Sequence, residues 1–143
     1  MVGWRIVMAS WVAVGATTVV AAAAAAGLAA AHGATTALSL GLFLASLAVW
    51  VYAFGRAIVR STHGDDIGVA NLFFLVGSAP PTQRRHLMGS LAASVVVAVV
   101  AMFSNPYVVL VPMLPLGLAG AWAARHGTFP PRPARPAARG GRR

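Results

Sequence analysis

The chain has 143 residues, of which 59% are hydrophobic and 9% charged, and its 11 arginines against two acidic residues give a net charge of +9. Soluble domains carry roughly a quarter charged residues, so this composition excludes an ordinary soluble monomer, and the length allows one domain. Cysteine is absent, which excludes disulfides, thiolate metal sites and thiol redox chemistry by this chain.

Four apolar segments without a charged residue occupy most of the sequence. About 20 apolar residues are needed to cross roughly 30 Å of hydrocarbon, and each segment approaches or exceeds that length. We therefore expect an all-α membrane protein whose four-helix transmembrane domain covers residues 1–126. The predicted spans are residues 6–31, 37–54, 87–103 and 107–124.

The arginines predict the orientation. Every arginine lies outside the apolar segments, and a four-span threading places them all on one side. Cytoplasmic loops carry an excess of Lys and Arg, whereas acidic residues contribute little, so Asp65 and Asp66 leave the orientation unchanged. Arginine in place of lysine, together with abundant alanine, indicates a bacterium with GC-rich codons. The sequence predicts a multi-pass protein of the bacterial inner membrane with both termini in the cytoplasm.

A cleavable signal peptide is the competing interpretation of the first segment. Arg5 is followed by an apolar run and by alanines near residue 31, as in secretory signals. However, the apolar run of residues 6–31 is longer than the about 7 to 15 residues of a signal core, which favours a membrane span. Cleavage would leave the topology of the remaining spans unchanged.

A short apolar run lies in the predicted cytoplasmic loop between the second and third spans. Asp65 and Asp66 precede residues 67–76, and an Asp at a helix start accepts bonds from free backbone N–H groups. This pattern predicts a capped helix of about three turns, too short to span, that lies along the membrane interface. The alternative is a packing element of the bundle.

The fourth span contains two internal prolines. Pro112 and Pro115 remove backbone hydrogen bonds and predict a kink, while Pro106 in the preceding turn suits a first helical position. Kinked helices in membranes face protein or a cavity rather than bare lipid. The kink is interpreted either as a shape feature filled by neighbouring helices or as a hinge or ligand-lined bend.

No span contains Asp, Glu, Lys, Arg or His, although ion-coupled transporters keep such a residue inside the membrane to bind the ion. This absence argues against a proton exchanger or a proton relay. Hydroxyl side chains could line a narrow polar path, but such groups mostly bond back to their own helix. They are Thr17, Thr18, Ser39, Ser46, Ser90 and Ser94.

The sequence contains no recognisable catalytic set. A nucleophile elbow, a phosphate loop and a metal-protease helix are all missing, and the only carboxylates are the adjacent Asp65 and Asp66. We interpret these as capping residues. We therefore expect no catalytic residue, no metal site and no enzymatic activity by this chain alone.

Two histidines lie at the cytoplasmic ends of the third and fourth spans. Because a short turn makes these spans antiparallel neighbours, His86 and His126 could face each other. Two imidazoles at one depth can ligate a haem iron or a metal, or hydrogen-bond a quinone. A His flanked by Arg at a membrane edge is more typical of an interface anchor, so we expect no cofactor.

A basic belt is expected at the level of the inner headgroups. It contains Arg84, Arg85 and Arg125 beside the two histidines, and each charge near an anionic leaflet contributes roughly 1 kcal/mol. This predicts contact with anionic lipid headgroups; the alternative is that these residues only set topology and depth. The positive-inside bias also accounts for the net charge, so we expect no nucleic-acid partner.

The carboxyl-terminal residues 127–143 are rich in Pro, Gly and Arg. Such a composition cannot build a core and is typical of extended or disordered chain. We expect a basic cytoplasmic tail that lies on the anionic inner leaflet or docks on a partner.

Several short motifs stand out in residues 65–132. They are Leu72-Phe73-Phe74-Leu75, Gly77-Ser78-Ala79-Pro80-Pro81, Arg84-Arg85 and Trp122-Ala123-Ala124-Arg125-His126-Gly127-Thr128-Phe129-Pro130-Pro131-Arg132. In these motifs the chain resembles a family of small actinobacterial four-helix integral membrane proteins without an assigned function. The resemblance implies a membrane protein of that phylum and carries no functional residues.

The sequence favours a non-catalytic role. We expect an accessory or assembly subunit of a larger bacterial membrane complex, with a membrane-protein partner or a homo-oligomeric state, because four helices with small-residue faces suit close packing in lipid. The alternative is a small lipid or solute transporter that works as a homo-oligomer. A weaker alternative is a respiratory-complex subunit that contacts haem or quinone through His86 and His126.

Overall fold

The computed structural model describes residues 3–133. In that range the chain forms five α-helices and one 3-10 helix, and four helical segments are long and apolar enough to cross a membrane. The predicted all-α class and the four span-length helices are confirmed. The α-helices are α1 Trp4–Ala25, α2 Ala29–Thr62, α3 Val69–Phe73, α4 Pro81–Ala101 and α5 Met113–His126, and the 3-10 helix Pro106–Leu110 precedes α5.

The first two spans meet at an earlier turn than the sequence predicts. Residues 32–36, expected as the link, are helical, and α1 instead ends at Ala25. Gly27 follows in the left-handed conformation with φ +85°, and the Leu28 N–H donates to the Ala23 carbonyl at 3.2 Å. This is the Schellman motif, which satisfies the last carbonyls of a helix. The surrounding alanine run hides this boundary, because alanine favours helix on both sides of it.

Helix α2 is longer than a membrane requires. Its 34 residues extend about 51 Å at 1.5 Å per residue, against roughly 30 Å of hydrocarbon. Arg56 and Arg60 lie in its last two turns. The surplus length is therefore at the arginine-bearing end of the helix.

Helix α3 is shorter than the three turns expected at this place. At the start of α3, the Asn71 side chain bonds the residue before the helix: Asn71 Oδ1 accepts a hydrogen bond from the Gly68 N–H at 2.8 Å. Asp65, expected as a cap, instead pairs with Arg60 at 2.7 Å. The helix ends early because Leu75 adopts a left-handed conformation with φ +55°.

Pro112 lies between two unlike parts of the fourth span, and Pro115 lies in the first turn of α5. Residues Pro106–Leu110 form a 3-10 helix, begun by Asn105, whose side chain accepts from the Tyr107 N–H at 3.1 Å. The α-helical part begins only at Met113, directly after Pro112. The predicted interruption is present, and it takes the form of a change of helix type.

The fourth span is the centre of the bundle, because 61% of its apolar window is buried, against 17% for α2. Two glycines of α5 permit this close packing. A Cβ at Gly117 would lie 2.7 Å from Trp50 Cδ1, and one at Gly120 would lie 2.5 Å from Phe73 Cε1. The rings of Trp50 and Phe73 stack with centroids 4.5 Å apart. Helix α3 is thus anchored in the bundle through Phe73.

The hydroxyls of the spans mostly bond to their own helices, as expected. Two contacts within residues 3–133 join different helices: Ser10 Oγ and Ser90 Oγ lie 2.6 Å apart, and Thr35 Oγ1 donates to the Val20 carbonyl at 3.3 Å. Within residues 3–133, buried Ser39 Oγ has no hydrogen-bond partner. Of the six hydroxyls considered for a polar path, five donate to a carbonyl three or four residues earlier: those of Thr17, Thr18, Ser46, Ser90 and Ser94.

Candidate functional site

One end of the bundle carries the arginines of the described chain. There the start of α1 lies against α4, since the rings of Trp4 and His86 are 5.3 Å apart. The end of α2 lies against the residue after α5, since Arg60 Nη1 donates to the Gly127 carbonyl at 2.8 Å. We call this the arginine end. Its arginines are Arg5, Arg56, Arg60, Arg84, Arg85, Arg125 and Arg132.

The three arginines of the predicted headgroup belt are exposed. Arg84, Arg85 and Arg125 all lie on the surface, and Arg84 Nε donates to the Phe74 carbonyl at 3.3 Å. Arg5 is exposed at the same end. Exposed guanidinium groups are suited to phosphate, which they can bind with two parallel hydrogen bonds.

The two histidines have different ring neighbours. His86 packs edge-on against Trp4, whereas His126 lies 5.7 Å from the Trp122 ring. The amino end of α1 packs against both, because a Cβ at Gly3 would lie 3.0 Å from His126 Cδ2. Residues 3–133 contain no group of three or more His, Asp or Glu side chains that could hold a metal.

Arg60 organises the loop between α2 and α3. Its Nε contacts Asp65 Oδ2 at 2.7 Å, and its guanidinium carbon lies 4.7 Å from the centre of the Phe129 ring. The chain after α5 folds back here, so that the Asp66 N–H donates to the Pro130 carbonyl at 2.8 Å. The first part of the expected tail, residues 127–133, is therefore packed on the α2–α3 loop; residues 134–143 lie outside the described residues.

A cavity of about 410 Å³ opens beside the last turn of α5. Two polar atoms on its lining residues, Trp122 Nε1 and Gln83 Oε1, are buried without a hydrogen-bond partner in residues 3–133. Trp122 is only 2% exposed. We call this space the indole cavity. Its lining includes Ser78, Pro80, Gln83, Trp122, His126 and Thr128.

A second cavity of about 300 Å³ lies on the other side of His126. It is lined by Arg5 and Arg125 together with Gly3, Trp4 and Ile6. We call this the cationic cleft. Because His126 lines both spaces, the indole cavity and the cationic cleft are adjacent.

Sequence reasoning identified only part of this site. The basic pattern predicted Arg125 and His126, but the contributions of Trp122 and Gln83 were missed. Two weak signals were present: Gln83 is the single glutamine of the chain, and Trp122 is the single large aromatic residue in the last two turns of α5. Neither signal reveals that a side-chain polar atom is buried without a hydrogen-bond partner.

Comparison with known proteins gives no match to a family model, to a curated protein or to a solved structure.

Proposed function

We propose that this protein is a non-catalytic accessory or assembly subunit of a larger bacterial membrane complex. The observation that carries the proposal is the outward surface of α2. Only 17% of its apolar window is buried within the chain, although α2 is the longest helix of the described residues. Most residues of this window are therefore open to lipid or to another membrane helix.

The residues on this surface favour a protein neighbour. Gly33, Ala37, Gly41 and Ala45 recur every fourth residue, and all four are exposed. A Cβ at Gly33 or at Gly41 would meet nothing within 4 Å. Small residues at this spacing allow the backbones of two membrane helices to approach closely, which is how helices associate in lipid. We call these four residues the α2 stripe.

The proposed orientation is both termini in the cytoplasm of an inner membrane. It is supported by the clustering of Arg5, Arg84 and Arg125 at the arginine end, because the positive-inside rule retains such residues in the cytoplasm. In this orientation α3 lies at the level of the inner interface. Its Phe73 and Leu72 are buried, whereas Val69 is exposed.

A matched pair of variants tests the accessory role. Gly41→Leu fills the α2 stripe, and Gly15→Leu adds the same side chain to an equally open, exposed position of α1. The tagged chain is solubilised from native membranes in mild detergent, and the complex is analysed by size and by mass spectrometry. We expect a copurifying membrane protein that Gly41→Leu loses and Gly15→Leu retains. A lone monomer, or equal behaviour of the two variants, contradicts the proposal.

The rival function is a small homo-oligomeric transporter of lipids or solutes. The change of helix type in the fourth span favours it, since broken helices surround binding sites in many transporters. The helix break at Pro112, with Pro115 in the turn that follows it, would then be required for movement of the cargo. Reconstituted vesicles that move no labelled lipid or solute, with Pro112→Ala and Pro115→Ala leaving cellular function intact, would end this hypothesis.

A further inference from the structure

The exposed face of α2 carries large apolar side chains at the spacing of a helix pair. Six of them follow one another at alternating steps of four and three residues, and they are between 39% and 74% exposed. This alternation defines the core positions of two helices that coil around each other, each side chain inserting between four of the other helix. We call these six residues the α2 seam. They are Leu40, Leu44, Leu47, Val51, Phe54 and Ile58.

The seam is formed but not covered within one copy of the chain. The buried residues of α2 lie on another side of the helix, at Ser39, Ser46 and Ala53 among others. Phe54 is held in place by the rings of Trp50 and Phe73, with centroids 5.6 and 5.3 Å away, and its outer part stays exposed. An apolar cavity of about 210 Å³, lined by seam and α3 residues, opens beside it. The chain itself therefore leaves this surface without a partner.

The inner end of the seam lies past the hydrocarbon. Ile58 is 29 residues after Ala29, the first residue of α2, which corresponds to about 43 Å along the helix. The hydrocarbon is roughly 30 Å thick, and Arg56 marks the level of the headgroups. Ile58 is nevertheless 64% exposed. Lipid chains do not account for an apolar residue at this position, whereas a neighbouring helix does.

The distribution of charge favours a second copy of the chain as that neighbour. With a net charge of +9, two copies repel each other unless their arginines stay apart. Arg56 is two residues from both Phe54 and Ile58, and two residues turn a helix by about 200°, so its side chain leaves α2 on the opposite side. Arg60 is bound to Asp65 of its own chain. Two copies can therefore meet at the seam without apposed guanidinium groups.

The side-chain types of the seam favour the same neighbour. Two copies insert in the same orientation, so their α2 helices run parallel. In parallel two-stranded coils, β-branched residues are favoured at one core position and leucine at the other. Val51 and Ile58 share the first of these positions, and Leu40 and Leu47 share the second. Helix pairs of this left-handed type are common in membranes.

We infer that two copies of this chain associate side by side through the α2 seam, around a two-fold axis along the membrane normal. The interface is isologous, so each seam residue packs against the seam of the other copy. The inference goes beyond the accessory role and does not depend on it, because the seam and the α2 stripe have no residue in common.

Cysteine cross-linking in native membranes tests the inference on the full-length protein, which has no cysteine of its own. Around the two-fold axis each seam residue lies close to its own copy, and a disulfide requires Cα atoms within about 7 Å. We expect Leu44→Cys and Val51→Cys to give disulfide-linked dimers on mild oxidation. Val12→Cys on α1 and Val96→Cys on α4, comparably exposed at 63% and 62%, should remain monomeric.

A second measurement reports affinity rather than proximity. The monomer–dimer equilibrium of the fluorescently labelled chain is followed in vesicles as the protein density falls. Leu44→Ala combined with Val51→Ala should raise the dissociation constant about ten-fold, because packing of side chains drives association in lipid. Both side chains are largely exposed in the monomer, so the fold should be retained. Val12→Ala combined with Val96→Ala should leave the dissociation constant unchanged.

Other occupants of the seam give different results. A seam covered by lipid gives monomers at every density and no disulfide. A seam covered by another protein gives a monomeric purified chain, and the Leu44→Ala, Val51→Ala variant then loses a copurifying protein instead. Either result overturns the inference, as does equal cross-linking of all four cysteine variants. The accessory role is read separately, since loss of the dimer with the copurifying protein retained leaves that role intact.

Discussion

Trp50 Nε1 donates a hydrogen bond of 3.1 Å to the main-chain carbonyl of Met113, the first residue of α5. The bond joins α2 to the fourth span at the point where its 3-10 part has ended and its α-helical part begins. The same indole stacks on Phe73 of α3. One side chain therefore connects three helices, and its bond supports the interrupted backbone from outside.

Trp50→Phe removes this bond and retains most of the ring. We expect a loss of about 0.5–1.5 kcal/mol in the free energy of unfolding, the net contribution of one hydrogen bond. Reversible unfolding in detergent micelles, followed by circular dichroism, measures it. Trp11→Phe is the control, because Trp11 is 39% exposed; an equal effect of both substitutions would show that the bond contributes nothing specific.

Gly120→Ala should destabilise the bundle by about 1–3 kcal/mol, the usual range for overpacking, because the added methyl group would lie 2.5 Å from Phe73 Cε1. The same unfolding measurement checks this. Gly15→Ala is the control, since its methyl group meets nothing within 4 Å. At that position alanine should be neutral or stabilising, by up to about 1 kcal/mol.

A second variant separates the steric cause from other effects of Gly120→Ala. Phe73→Leu shortens the side chain that the new methyl group would meet. Combined with Gly120→Ala, it should recover part of the lost stability relative to the sum of the two single changes. Strict additivity of the two substitutions would contradict the contact as the cause.

Arg60→Gln should loosen the chain that follows α5. The substitution removes the ion pair with Asp65 and weakens the bond to the Gly127 carbonyl. The ion pair is partly exposed, so its effect on global stability should be small, about 0.2–1 kcal/mol. Faster limited proteolysis within residues 127–133 is the sensitive measurement. Arg56→Gln, an exposed arginine one turn earlier on α2, should leave the cleavage rate unchanged.

The absence of cysteine makes the proposed orientation directly testable. Single substitutions Ala26→Cys and Ser104→Cys place a thiol in the two turns opposite the arginine end, and Thr62→Cys places one at that end; all three positions are exposed. In cells with a permeabilised outer layer and an intact inner membrane, an impermeant maleimide should label the first two and not the third. Labelling of Thr62→Cys alone would invert the proposed topology.

Much of the candidate site could not be predicted from sequence. Arg125 and His126 could be predicted from the sequence, because a charged residue at the end of an apolar segment has few alternative positions. The missing hydrogen-bond partner of Trp122 Nε1 could not be predicted, since it depends on the packing of Gly3 and on the shape of the α3–α4 loop. The sequence also predicted helical caps at Asp65 and Asp66, but Asp65 instead forms an ion pair with Arg60, five residues earlier in the chain.

The amino-acid sequence by itself determined the number of span-length helices, their apolar character and the clustering of arginine outside them. These properties are local: they depend on the free energy of transferring each segment between water and hydrocarbon, which hardly depends on its neighbours. Tertiary structure alone decided which helix is central, where α1 gives way to α2 and how Phe73 reaches Gly120. Those features depend on close contacts between distant residues, and in an alanine-rich chain many packings match the same apolar pattern until glycines and aromatic rings select one.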